Sequence, residues 1–181
     1  MILSVLCFLL RDLRVFFSCL KTKVALSVQT TLRILEMPTQ STAKIDFQFE
    51  SACTLKHRTA LKDFISSLFH KEGKSLASLT YVFCSDAYLL ELNRSYLQHD
   101  YFTDIITFDL SENKKQIIGE IYISIDRVRD NATTVGVSFN NELHRLIFHG
   151  ALHLCGYKDK SAREKTAMTA AEDKYLALYF S

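Results

Sequence analysis

The chain has only one proline and five glycines among its 181 residues, and no segment of it is repeated. Flexible linkers and low-complexity regions are rich in such residues, so the sequence argues against an array of loosely joined modules. Hydrophobic residues make up 48% of the chain and charged residues 23%, as in ordinary globular proteins. The length therefore predicts one domain, with at most a short additional segment, that can bury a core without disulfides.

No two of the five cysteines have the C-x-x-C spacing of zinc ribbons and thiol redox sites. Their odd number argues against a fully paired disulfide framework. We therefore expect free and mostly buried thiols in a reducing cytosol, and a cytoplasmic protein. The five residues are Cys7, Cys19, Cys53, Cys84 and Cys155.

The chain also lacks a strong excess of charge, since its formal net charge is +2. Residues 1–36 carry five basic and two acidic side chains, whereas residues 37–181 carry 17 basic and 18 acidic ones. Total charge therefore does not predict a nucleic-acid binder. Contact with a phosphate backbone would have to come from a local basic patch.

A long hydrophobic run is missing as well. Residues 2–10 are largely apolar, but nine residues are too few to span a bilayer, and no basic residue precedes them as in a signal peptide. Two interpretations stay open for residues 1–36, which are either an amphipathic membrane-surface helix or an extension outside the functional protein. We favour the second, with translation starting at Met37, and expect a domain over residues 37–181 without stable membrane association.

Hydrophobic periodicity predicts interspersed strands and helices in the rest of the chain. Ser138 is expected to cap a long helix that ends at Gly156, and Ser161 with Glu164 has the spacing of a capping box. The order predicts a single α+β (α/β-like) domain, with a small mixed sheet of about four strands flanked by helices and a hairpin of the last two strands. Strands are predicted at residues 44–49, 78–86, 104–110 and 116–124, and helices within residues 54–73, 86–96, 126–135, 138–156 and from 161 onwards.

Two histidines, His149 and His153, stand four residues apart in the long predicted helix. Residues at this spacing lie on one helix face, so both imidazoles can reach one point. After Gly156 the chain can turn back, which would bring the carboxylate of Asp159 to the same point. Two histidines and one carboxylate leave a fourth tetrahedral position for water, as in catalytic zinc sites, where the metal lowers the pKa of that water to about 7.

Other interpretations of these residues stay open, because a helical histidine pair can also consist of packed side chains. Cys155 lies about 200° around the helix from His153, so a packed thiol is expected there rather than a ligand. Gly150 stands where the H-E-x-x-H motif of zinc proteases has its glutamate, which argues against a protease. His144 lies on another helix face and is expected to be a surface or core polar group.

The stretch HGALHLCGYKD, residues 149–159, resembles the signature H-G-x-L-H-L-x-G-Y-D-H of the YbeY family of bacterial endoribonucleases. A second stretch, LNRSYLQHDYFTDIITF at residues 92–108, resembles the family segment L-N-x-x-Y-R-x-x-D-x-x-T-(N/D)-V-L-S-F. GEIYIS, residues 119–124, is similar to the family strand G-D-I-x-I-S. The stretches occur in the family's order, and the resemblance extends over about residues 44–180.

The resemblance implies a single-strand-specific, metal-dependent endoribonuclease that acts in ribosomal RNA maturation, in late quality control of the 70S ribosome and in processing of the 3′ end of 16S rRNA. It implies one zinc ion per chain on the residues at the three ligand positions, His149, His153 and Asp159. Ribosomal RNA and ribosomal particles are the implied partners, with ribosomal proteins as further contacts.

Two residues depart from the family's pattern. Asp159 stands at the third ligand position, where the family usually has histidine; its negative charge should make the bound water less acidic and the choice of metal less exclusive. Leu97 stands where the family has an arginine regarded as catalytic. Arg94, three residues earlier and near the same helix face, is predicted to replace that arginine; the other interpretation is a solvated Arg94 and a site that relies on other cations.

Two other functions remain open: a ribosome-assembly binding factor whose metal site is mainly structural, and a metal-dependent hydrolase of a small phosphoester or amide. The acidic balance of residues 37–181 favours the binding factor. In the loop before the third strand, His99 and Asp100 either line a substrate groove or form a plain turn. Asp104 either anchors that strand or supports a metal-bound histidine.

Overall fold

The computed structural model describes residues 43–113 and 116–181, so the predictions for residues 1–36 fall outside the described residues. The strands are β1 (Lys44–Phe49), β2 (Leu76–Cys84), β3 (Ile105–Asp109) and β4 (Ile117–Ser124). The helices are α1 (Arg58–Lys71), α2 (Asp86–Leu92) with a following π-helical turn (Asn93–Leu97), α3 (Ile125–Val135), α4 (Phe139–Cys155) and α5 (Ala162–Phe180). The predicted α+β fold is confirmed, and the predicted bounds differ from these by a few residues.

The four strands form one mixed sheet in the order β1-β2-β4-β3. β1, β2 and β4 are parallel, while β3 runs antiparallel to β4, which confirms the predicted hairpin. The hairpin register pairs Ile105 with Ile123 and Asp109 with Gly119. Since parallel neighbours need crossover connections, α1 joins β1 to β2, and the segment containing α2 and β3 lies between β2 and β4.

α4 is the most buried helix, and its core side chains pack against the sheet. A Cβ atom at Gly150 would lie 2.9 Å from the Ile121 side chain on β4 and 3.1 Å from that of Ile105 on β3. Only the absence of a side chain at Gly150 allows this close approach. It places the C-terminal half of α4, with His149 and His153, beside the β3–β4 hairpin.

Local interactions fix the start and the end of α4 and the start of α5. The Ser138 hydroxyl accepts a hydrogen bond from Asn141 N at 3.1 Å at the start of α4, and Gly156 ends that helix with φ 106°. The predicted capping box is present, since Ser161 N donates to Glu164 Oε2 at 2.8 Å and Glu164 N donates to the Ser161 hydroxyl at 3.3 Å. The connection between α4 and α5 is therefore short and held at both ends.

Cys53, Cys84 and Cys155 are free thiols, and Cys7 and Cys19 lie outside the described residues. Burial raises the pKa of Cys155 to about 12, chiefly through desolvation, so its thiol stays protonated at neutral pH. This agrees with a packed side chain. In the described part of the chain, no helix combines the length and the hydropathy needed to cross a membrane.

Candidate metal centre

The structure brings the three predicted ligand residues together at the end of α4. The Nε2 atoms of His149 and His153 lie 2.9 Å apart, and Oδ2 of Asp159 lies 3.8 Å from His153 Nε2. One potential ligand atom from each residue lies within 4.8 Å of the other two. The helix supplies the two histidines through their spacing of four residues, and the turn after Gly156 supplies the aspartate.

The other ring nitrogen of each histidine is held by an oxygen atom. His149 Nδ1 lies 2.6 Å from Glu172 Oε1, and His153 Nδ1 lies 3.0 Å from the carbonyl oxygen of Tyr157. A carbonyl or carboxylate oxygen only accepts, so each Nδ1 donates, and in a neutral imidazole Nε2 is then an unprotonated acceptor. The same arrangement orients metal-ligating histidines in general.

This donor set fits a metal cation. Two acceptor nitrogens that face each other at 2.9 Å repel unless a positive charge lies between them. Two imidazole ligands of one tetrahedral zinc ion lie about 3.3 Å apart, which is close to the separation found here. Desolvation, the largest cause, lowers the pKa of His153 and favours the neutral ring that is able to bind metal.

Glu172 was not predicted as part of the site, although it contacts His149 directly. It lies on α5, is 6% exposed, and its second oxygen accepts a hydrogen bond from Arg145 Nη1 at 3.3 Å. Burial pushes its pKa upward, but the hydrogen bonds from His149 and Arg145 and the charge of Arg145 outweigh burial, so the pKa of Glu172 is lowered. Glu172 is therefore a carboxylate at neutral pH that keeps His149 Nδ1 protonated.

Arg145 is fixed in turn by Glu142, which accepts hydrogen bonds from Nε at 2.8 Å and from Nη2 at 2.7 Å. This bidentate pair is the first cause of a raised pKa of Arg145. The path from Glu142 through Arg145 and Glu172 thus ends at the imidazole of His149. It holds one ligand of the candidate centre in a defined orientation.

Asp104 has a structural role rather than a contact with the histidines. Its Oδ2 accepts a hydrogen bond from Asn131 Nδ2 at 3.2 Å and lies 3.9 Å from Arg145 Nη2. Its carbonyl oxygen accepts a hydrogen bond from Ser124 N at 2.9 Å. Of the two interpretations of Asp104, anchoring of the third strand agrees with these contacts, because the carboxylate that supports a histidine belongs to Glu172.

Arg94, the predicted substitute for the family arginine, lies in the π-helical turn after α2 and not beside the histidines. Its Nε donates to Asp100 Oδ1 at 2.6 Å, and the two side chains are 56% and 74% exposed. Neither residue lines the groove that contains the candidate ligands. The contact accounts for Asp100 as a partner of Arg94, and the catalytic role of Arg94 stays a prediction.

A groove with a volume of about 500 Å³ contains the three candidate ligands. Its other wall comes from β3 and from the loop before it, including His99 and Tyr101. Of the two residues predicted for a substrate groove, His99 therefore lines it. Within the described part of the chain, no lysine or arginine contributes to this lining, whereas Asp104, Asp109 and Asp159 do.

Comparisons with known proteins show which family the chain is similar to. The sequence model of a family described as Endoribonuclease YbeY matches residues 40–179. A protein named Endoribonuclease YbeY from Cytophaga hutchinsonii is 49% identical over 132 residues, which are 73% of this chain and 92% of that protein. One of the same name from Flavobacterium psychrophilum is 45% identical over 135 residues, 75% of this chain and 96% of that protein. The solution structure of a Thermotoga maritima protein is similar with a TM-score of 0.51 and 27% identity, covering 75% of this chain and 89% of that one.

Proposed function

Because the chain belongs to the YbeY family of endoribonucleases, we propose that it cleaves single-stranded RNA with a metal ion held by His149, His153 and Asp159. The observation that supports this most strongly is the pair of facing Nε2 atoms, 2.9 Å apart, with the carboxylate of Asp159 beside them in a groove.

His149, His153 and Asp159 would hold a zinc ion here, and it would supply Lewis acidity toward a phosphoryl oxygen and toward water or a ribose 2′-hydroxyl. The residues of the chain do the positioning. Glu172 and the carbonyl of Tyr157 keep both imidazoles in the tautomer that presents Nε2. Phosphoryl transfer depends mainly on positioning and charge neutralisation. Since no lysine or arginine is found among the described residues that line the groove, we expect slow turnover.

We propose one zinc ion per chain, with a less exclusive metal preference than a three-histidine site would have. The reason is Asp159, whose side chain is 46% exposed and adds a negative charge and a hard oxygen donor to the set. We also retain Arg94 as the cation that contacts the substrate phosphate. For this contact Arg94 has to break its ion pair with Asp100. The cost is small, because an exposed ion pair of this kind contributes at most about 1 kcal/mol.

The biological setting follows from the family. We propose that residues 37–181 form the functional domain, that its substrates are ribosomal RNA and ribosomal particles in the cytoplasm, and that ribosomal proteins contribute contacts. The cleavage would serve ribosomal RNA maturation, as processing of the 3′ end of 16S rRNA and late quality control of the 70S ribosome.

The test is cleavage of a single-stranded RNA by the zinc-loaded chain and by two histidine variants. His153→Ala should reduce cleavage to the background rate while the chain stays folded, whereas His70→Ala, an exposed histidine on α1, should cleave as the wild type does. Undiminished cleavage by His153→Ala would refute the proposal. If the wild type binds RNA without cleaving it, and loses thermal stability when zinc is removed, the assembly factor with a structural metal is the better account.

A further inference from the structure

Two aromatic rings of the loop before β3 line the groove and stack on each other. The ring centroids of His99 and Tyr101 lie 5.1 Å apart with their planes inclined by 23°, and the Tyr101 hydroxyl lies 3.1 Å from His99 Nδ1. Both residues are exposed, Tyr101 to 57%. The two rings are thus stacked on each other and joined by a hydrogen bond without being covered by the rest of the protein.

Two hydrogen bonds with the buried residue Asn93 hold this loop in place. Asn93 is 2% exposed, and its Nδ2 donates to the carbonyl oxygen of Tyr101 at 2.8 Å. Its own carbonyl oxygen accepts a hydrogen bond from His99 N at 3.2 Å, and Gln98 adopts a left-handed conformation with φ 56°. A ligand that contacts the rings would therefore find them ordered, which reduces the entropy lost on binding.

The charges of the groove explain why aromatic rings matter there. Proteins bind single-stranded nucleic acids through cations that contact the phosphates and through aromatic rings that stack on the bases. Among the described residues that line this groove, three are aspartates and none is a lysine or an arginine. Attraction between groove and phosphate is therefore weak away from a metal, and stacking has to supply more of the affinity.

We propose that His99 and Tyr101 form a stacking site for one unpaired nucleobase of the RNA whose phosphate reaches His149, His153 and Asp159. This stacking site rests on the proposed function, and it assigns the selection of the RNA substrate to His99 and Tyr101. A base within a duplex has both faces covered by its neighbours, whereas an unpaired base offers a free face to an aromatic ring. The site would therefore favour single strands with little dependence on sequence.

The test measures binding of the full chain, in EDTA to prevent cleavage, to a short single-stranded RNA with one 2-aminopurine base. Stacking quenches the fluorescence of this base, and titration gives the dissociation constant. Tyr101→Ala should abolish the quenching and weaken binding roughly 5- to 150-fold, whereas Tyr101→Phe, which keeps the ring, should bind nearly as the wild type does. Tyr88→Ala is the matched control, because Tyr88 is 43% exposed and lies outside the groove.

A change in the ligand separates stacking from a general effect on the loop. An RNA that is abasic at the 2-aminopurine position should bind the wild type as weakly as the intact RNA binds Tyr101→Ala. When the abasic RNA is combined with Tyr101→Ala, the affinity should fall little further. The logarithm of the affinity for the intact strand should fall with the logarithm of the salt concentration with a slope shallower than about −1.4, the value for two neutralised phosphates.

Unchanged binding and quenching in Tyr101→Ala would overturn the stacking site, and so would absence of quenching by the wild type. The stacking site would also be overturned if the abasic position lowered the affinity for RNA equally in the wild type and in Tyr101→Ala. That result would show that the base is bound elsewhere. Zinc-dependent RNA cleavage by the wild type, measured in parallel, separates the two proposals. Retained cleavage leaves the proposed function standing without this site, while loss of both binding and cleavage removes the function itself.

Discussion

Replacing Glu172 with glutamine should weaken zinc binding although the residue is not a predicted ligand. The side chain keeps its shape, but its bond to His149 Nδ1, 2.6 Å long and almost fully buried, is no longer charge-assisted. Hydrogen bonds to a charged group contribute about 1.5–3 kcal/mol and neutral ones about 0.5–1.5 kcal/mol. The difference of about 1–1.5 kcal/mol corresponds to a dissociation constant for zinc that is roughly tenfold higher, at the lower limit of what such outer contacts contribute.

The assay is a competitive titration of zinc against a chromophoric chelator, in wild type, in Glu172→Gln and in Asp173→Asn. Asp173 is the exposed neighbour on the same helix and undergoes the same chemical change, so its variant should bind zinc as the wild type does. Arg145 stays paired with Glu142 in both variants, which limits general destabilisation. An unchanged zinc affinity in Glu172→Gln would refute the reasoning that this carboxylate orients and polarises His149.

Three further predictions concern the fold around the site. Gly150→Ala would place a Cβ atom 2.9 Å from the Ile121 side chain, and such overpacking should lower the free energy of unfolding by about 1–3 kcal/mol in urea titrations; equal stability would contradict the close approach of α4 to the sheet. Burial lowers the pKa of His144 below 6.5, so the unfolded chain binds the proton more readily, and the stabilisation is complete above about pH 6.5 and is lost as the pH falls below it. His144→Phe should therefore flatten this part of the stability curve, and a curve with the same slope would argue against a neutral buried histidine. Because burial raises the pKa of Cys155 to about 12, iodoacetamide at neutral pH should modify it only after unfolding, and peptide mass spectrometry would reveal any modification of the native protein.

The elements that could be predicted from the sequence are those that local interactions determine. Ser138 and Gly156 flank α4 as its N-terminal and C-terminal caps, as predicted, since a capping hydroxyl and a left-handed glycine act within a few residues. The convergence of His149 and His153 follows from helix geometry alone. Asp159 required only a short turn after the helix end to come within reach of the histidines.

The features that could not be predicted depend on contacts between distant segments. Glu172 lies 23 residues from His149, and its role follows from the packing of α5 against α4. The available signal was an acidic residue between Met168 and Tyr175 on the apolar face of a helix, where a buried partner is expected. The engagement of Arg94 with Asp100 was also not predicted, because the π-helical turn before the loop changes the direction of the side chains relative to a regular helix.

The metal content of the purified full-length chain, produced without a polyhistidine tag, tests the central claim most directly. Inductively coupled plasma mass spectrometry should find about one zinc ion per chain in the wild type and none in the double variant His149→Ala/His153→Ala. Exposed His70 again provides the control, since His70→Ala should retain the metal. A wild type that contains no metal and takes up none on addition of zinc, or a double variant that still holds zinc, would contradict the account of the cluster as a metal centre.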